Sequence, residues 1–189
     1  MANNKKNPTV RLTMAQRAEK QREVLFPDTS PDWLWHRTSH DGFITIPRTL
    51  PIVMEAIDSL SKGQPAGQTL LALWCRSPDH PVVTIENPAT FASEAGFGGE
   101  RAIDTWRRRM KSLRDLGFIK TKSGPSGDFH NVLLLNPNIV IEQLRAKGQI
   151  QDGLYARFQQ RMLEIGTYGE IEGARMLFSQ PEQEAKEVF

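Results

Sequence analysis

NPATFASEAGF (87–97), GGERAIDTWRRRMKSLRDLG (98–117) and FIKTKSGPSGDFHNVLLLN (118–136) form one unbroken stretch in which a helix crowded with arginines runs into a hairpin. The first piece predicts a short helix. Asn87 is its N-cap, and Pro88 takes the first helical position, where a missing N–H costs nothing. Ala92 and Gly96 then lie four apart, a small residue where two helices approach and a glycine able to take the positive φ of a tight turn. A second helix follows from Glu100 to Leu116. After Gly117, Phe118–Lys122 alternates as a strand, Ser123–Asp128 is a turn rich in Gly, Pro and Ser, and Phe129–Leu135 returns as a second strand ending at Asn136-Pro137.

On the second helix, Ile103, Trp106, Met110 and Leu113 fall on one side, the stripe of a core-facing helix. Arg101, Thr105, Arg108 and Ser112 fall on the opposite side with Asp104 beside them, and Arg107, Arg109, Lys111 and Arg114 occupy the flanks. One face is expected to be buried and the other cationic. Between Gly99 and Lys122 there are eight basic residues against three acidic ones.

With Val82–Glu86 (VVTIE) as a first short strand, the order is strand, helix, helix, strand, turn, strand. This order, with LRDLGFI before the hairpin, resembles a winged helix-turn-helix domain, loosely similar to small regulators or replication proteins of plasmids and mobile elements. The resemblance covers residues 47–136, about half of the chain. It implies a mainly α fold with a small antiparallel β-hairpin and additional N-terminal and C-terminal helices. It further implies that Arg101, Thr105, Arg108 and Ser112 face DNA bases. Arg107, Arg109 and Lys111 then hold phosphate on the rims, and Lys120 and Lys122 hold it from the wing. Asp104 accepts from cytosine or orients Arg101 or Arg108.

Outward from this stretch, two apolar helices precede it. Leu50, Val53, Met54, Ile57 and Leu60 repeat with helical spacing up to Lys62-Gly63, and AGQTLLALWCR (66–76) is apolar nearly all round, with Cys75 read as a core residue. A minimal winged helix has one helix before its first strand, so the extra helix is a departure. Phe43–Ile46 is a short strand candidate. Trp33 and Trp35 are read as anchors that pin an extension to the core. Residues 1–32 form a basic arm and linker, with Lys5, Lys6, Arg11, Arg17, Lys20 and Arg22 against Glu19 and Glu23. Thr13–Glu23 is either a solvated tail or a short basic helix that lies on DNA.

After the hairpin, residues 137–180 predict further helices: Pro137–Lys147, a second capped by Asp152, and a short last turn around Ile171, Ala174, Leu177 and Phe178. They either associate with a second copy or wrap their own core. Residues 181–189 read as a solvated tail, and the charge of this end is acidic.

Composition bounds the remaining classes. The chain has 189 residues, a net charge of +2, 39% hydrophobic and 24% charged residues, and one cysteine. This suits a single core with extensions, and no apolar run approaches the ~20 residues that span a bilayer. The N-terminus lacks a secretory pattern, so a cytoplasmic site without disulfides is expected. Enzyme chemistry lacks a nucleophile–base pair, a phosphate loop or metal spacing. Gly96-Phe97-Gly98-Gly99 is followed by Glu100 where a phosphate loop needs Gly-Lys-Ser/Thr, and His36 and His40 abut the turn Asp41-Gly42. No cofactor, metal or membrane is therefore expected. The partner is double-stranded DNA, read by a homodimer. The alternative is a non-catalytic adaptor that docks a protein or a structured RNA. A ligand-gated repressor, with the region of Trp33, Trp35 and Trp74 as its pocket, is a third reading.

Overall fold

The computed structural model describes residues 12–179. Lys5, Lys6 and Arg11 of the expected arm, and the expected tail 181–189, lie outside the described residues. The chain divides into two units, the first ending at Phe43 and the second beginning at Ile44.

In the first unit, helix α1 (Met14–Leu25) starts at the expected threonine. Thr13 accepts from the Gln16 N–H at 3.2 Å, and the Gln16 side chain accepts from the Thr13 N–H at 2.9 Å, a reciprocal capping box. No residue of α1 is buried. The loop after it contains a short 3-10 turn, Pro31–Trp33, capped by Ser30. Trp33 and Trp35 are 87% and 59% exposed, so they are not the buried anchors expected. Trp35 instead stacks on His40, with ring centroids 6.0 Å apart, and meets the edge of Phe43. His36 and His40 do not share a helix: the His40 imidazole closes a local turn, 3.0 Å from the His36 carbonyl.

The second unit runs α2 (Leu50–Leu60), α3 (Gly67–Cys75), β1 (Val82–Thr84), α4 (Pro88–Glu94), α5 (Ala102–Asp115), β2 (Ile119–Gly124), β3 (Gly127–Leu134), α6 (Pro137–Ala146), α7 (Asp152–Glu164) and α8 (Tyr168–Ser179). It is mainly helical with one small antiparallel sheet, ordered β1-β3-β2. Phe43–Ile46, expected as a short strand, has no regular secondary structure and joins no strand ladder. The register places Val82, Leu133 and Lys120 in one cross-strand row, Val83, Val132 and Thr121 in the next, and Thr84, Asn131 and Lys122 in the one after.

One hydrophobic cluster unites these elements. Leu50, Val53 and Ile57 of α2, Leu70 and Leu73 of α3, and Trp106, Met110 and Leu113 of α5 are all buried in it. Full burial of such side chains contributes roughly 1.5–3 kcal/mol each, which fixes the rotation of each helix about its axis. Gly67 is where α2 and α3 touch: a Cβ there would stand 2.8 Å from the Met54 Cβ and 2.9 Å from its carbonyl oxygen. Cys75, expected in the core, is exposed at the end of α3 because the buried side of that helix is set by Leu70 and Leu73.

The C-terminal helices spend their apolar faces on this same cluster through Ile141, Leu144, Phe158, Met162 and Ile171. The α7 N-cap is Gln151, and Asp152 is the first helical residue, paired with Arg145 at 2.6 Å. Helix α8 is a full 12 residues rather than a short turn. Arg175 holds it down, donating to the buried carboxylate of Glu142 at 3.1 Å and to the Tyr155 hydroxyl at 2.7 Å, while Tyr155 donates to Glu142 at 2.6 Å. Two donors thus compensate the desolvated carboxylate.

Candidate nucleic-acid interface

Placement of α5 begins at the preceding turn. The Asn87 side chain accepts from the Ala89 N–H at 3.0 Å and starts α4. Gly96 takes φ 86°, a region in which a side chain is strained, so the chain reverses within a few residues over the buried Ala92. Arg101 stands at the N-cap position of α5 without a side-chain cap bond, and burial of Trp106, Met110 and Leu113 turns the opposite face outward. Ile103, expected beside them, is only half-buried and lies outside the core cluster.

Of the four residues expected on the outward face, Arg101 and Arg108 are exposed and Thr105 and Ser112 are half-buried. Neither arginine has a carboxylate partner among the described residues. Arg108 donates to the Thr105 hydroxyl at 3.2 Å, and the Ser112 hydroxyl donates back to the Arg108 carbonyl at 3.1 Å. The two hydroxyls therefore tie the face to its own helix and leave most guanidinium donors open to a ligand.

The flanking cations differ among themselves. Arg107 lies 3.7 Å from Asp104, and Lys111 lies 2.6 Å from Asp115. Both are solvent-exposed i,i+3 or i,i+4 pairs, worth a few tenths of a kcal/mol and easily exchanged for phosphate. Arg109, expected on the phosphate rim, is turned inward. Its guanidinium lies over the Phe97 ring at 5.8 Å and donates to Gln64 at 3.0 Å, while its Nε is buried without a partner. Burial, and next the neighbouring Arg108 charge, hold its pKa below the ordinary arginine value, with Asp58 acting in the opposite sense. Its position near the boundary between the two faces is the reason: Phe97 and Gln64 close over that flank.

On the other flank, Arg114 lies over the Phe129 ring at 5.2 Å and donates to the Thr121 hydroxyl at 3.4 Å, joining α5 to both strands of the hairpin. The tip of the hairpin is tied to the end of β1: the Ser126 hydroxyl donates to the Ile85 carbonyl, and His130 Nδ1 sits 2.9 Å from that hydroxyl. Ile85, Trp106, Arg107 and residues 126–129 line a cleft of about 320 Å³ between α5 and the hairpin. Strand alternation sends Thr121 toward α5 and therefore sends Lys120 and Lys122 to the opposite face. There they lie beside the partly exposed Val82–Leu133 pair. The expected wing lysines are thus not gathered with Arg101 and Arg108.

Among the described residues no group of three His, Cys, Asp or Glu side chains could hold a metal ion, and no helix is long and apolar enough to cross a membrane. Compared with family models, curated proteins and solved structures, the chain matches none.

Proposed function

We propose that this chain is a sequence-specific double-stranded DNA-binding protein of the winged helix-turn-helix type, a transcription regulator or initiator-like factor of a plasmid or similar mobile element. The observation that carries the reading is the pair Arg101 and Arg108, exposed and without carboxylate partners among the described residues, on the face of α5 opposite Trp106, Met110 and Leu113. An α-helix about 10–12 Å across fits a major groove about 12 Å wide, where a free guanidinium bonds guanine O6 and N7 together. Thr105 and Ser112 offer hydroxyls to further base edges. Arg107, beside the hairpin cleft, and Lys111 meet phosphate. Lys120 and Lys122 reach it only from the outer sheet face and contribute less.

One helix and one hairpin make a small interface, so the protein acts as a homodimer on a two-fold site. Among the described residues, Leu163 and Met176 of the C-terminal helices, 62% and 71% exposed, are apolar side chains available for that association.

A second reading, a non-catalytic adaptor, draws support from the outer sheet face, where Val82 and Leu133 lie beside Lys120 and Lys122 of β2. Titration of a labelled random-sequence duplex at rising salt separates the two. A DNA reader loses affinity steeply, with a log–log slope near −0.9 for each phosphate neutralised. Absence of duplex binding at low salt would end the DNA reading and leave protein and RNA partners.

A further inference from the structure

Helix α2, which with α3 comes before the first strand, ends in a turn that lies beside the reading helix. We infer that Lys62, at the tip of this α2–α3 turn, is a DNA phosphate contact on the side of α5 away from the hairpin. The inference rests on the reading of α5 as a groove-reading helix.

The turn is held in place from several directions. The close approach of Gly67 to Met54 joins α2 to α3 at their backbones, and the Gly67 N–H donates to the Asp58 carboxylate at 2.7 Å. The Ser61 hydroxyl donates to the Ile57 carbonyl at 2.6 Å, and Gln64 accepts from Arg109 of α5 at 3.0 Å. Arg109 is therefore a positioning residue: its inward-turned guanidinium fastens the turn to α5 rather than touching phosphate. Between turn and helix lies an open cleft of about 480 Å³, lined on one wall by Lys62 and Gln64 and on the other by Arg108, Lys111 and Ser112. Lys62 is exposed and makes no ion pair among the described residues. Asp115 is the one carboxylate on the cleft, and it is paired with Lys111 at 2.6 Å.

A helix in the major groove has a ridge of phosphates on each side. On the hairpin side of α5, Arg107 faces one cleft; on the other side, Lys62 faces the second. The ligand class is the phosphodiester anion of duplex DNA. It is met by an ammonium that carries affinity without sequence preference.

The test compares wild type, Lys62→Gln, Lys62→Glu and Lys62→Arg, with Lys147→Gln as a remote exposed control, using a random-sequence duplex and the duplex the wild type prefers. Lys62→Gln is expected to weaken both complexes several-fold and to reduce the salt slope by about 0.9. The same ratio between the two duplexes should be kept. Lys62→Glu should weaken them further, and Lys62→Arg and Lys147→Gln should match wild type. Equal thermal midpoints for all five proteins show that the turn is intact. Wild-type affinity and slope in Lys62→Gln, while the preference for one duplex persists, overturn the Lys62 contact and leave the DNA reading standing. So does a loss in Lys62→Arg as large as in Lys62→Gln, which marks a structural lysine. Failure of the wild type to bind duplex removes both.

Discussion

Helices α1 and α5 are both basic, yet they are held by opposite means. Helix α1 has a complete capping box and no buried residue. Helix α5 has no side-chain cap and three buried residues, Trp106, Met110 and Leu113. Local signals can start a helix, but a helix of 12 residues with no buried face is marginal in water by itself. Packing is what aims a side chain. The cations of α5 therefore point in a direction fixed by its buried stripe, whereas those of α1 ride on a helix with no buried residue. If α1 meets DNA at all, it does so as a charge and not as a reader.

The contrast can be broken most easily at the core. Trp106→Ala should cost about 3–5 kcal/mol in chemical denaturation, through lost transfer energy and the cavity left behind. Leu25→Ala in α1, at a residue already 57% exposed, should stay within about 0.5 kcal/mol. Similar losses at the two sites would mean that α1 is packed after all. Next in size, Thr13→Ala removes one half of the capping box and should take about 1 kcal/mol from α1 alone. Helical ellipticity should drop while the global unfolding midpoint stays put; a shifted midpoint would join α1 to the cooperative core.

A smaller effect concerns the tether between the end of α3 and α4. The Arg76 side chain hydrogen-bonds Glu94 and holds its carboxyl below the usual glutamate range, the short contact mattering more than the opposing cost of burial or the charge alone. Because the folded pKa is the lower one, this stabilisation is present above the ordinary glutamate pKa. It is lost as pH falls through the folded value. Both side chains are roughly 40% exposed, so screening keeps the contribution under about 1 kcal/mol. Glu94→Gln should lower the urea midpoint slightly at pH 7 and match wild type in acid. An equal difference at both pH values would assign the effect to packing against Phe91 instead.

Where the sequence could be read, periodicity met a single partner surface. The stripe of α5 and the spacing of α2 identified Trp106, Met110, Leu113, Leu50, Val53 and Ile57 as buried, and Asn87 and Gly96 as cap and turn. The misreadings lie where an unseen neighbour decides. Arg109 sits at the border between the faces of α5, and only Phe97 and Gln64, brought in by two other segments, turn it inward. Cys75 belongs to an apolar run whose buried side is set by Leu70 and Leu73, and it stands exposed at the end of that run. The tryptophans at 33 and 35 look like anchors by composition but are both exposed, Trp35 stacking on His40 and meeting Phe43 a few residues on. The length of α8 depends on Arg175 reaching Glu142, 33 residues away, which no local pattern announces. Lys120 and Lys122 were within reach of the sequence, since strand alternation alone separates them from Thr121.

The most direct test of the central claim is selection from a random duplex pool by wild type and by the Arg101→Ala, Arg108→Ala double variant, at low and physiological salt. Wild type should enrich one motif, its two-fold symmetry reporting the dimer. The double variant should lose that motif, at about 1–3 kcal/mol of discrimination for each guanidinium, while keeping weak, salt-sensitive binding. Enrichment of the same motif by both proteins, or of none by the wild type, would contradict the account.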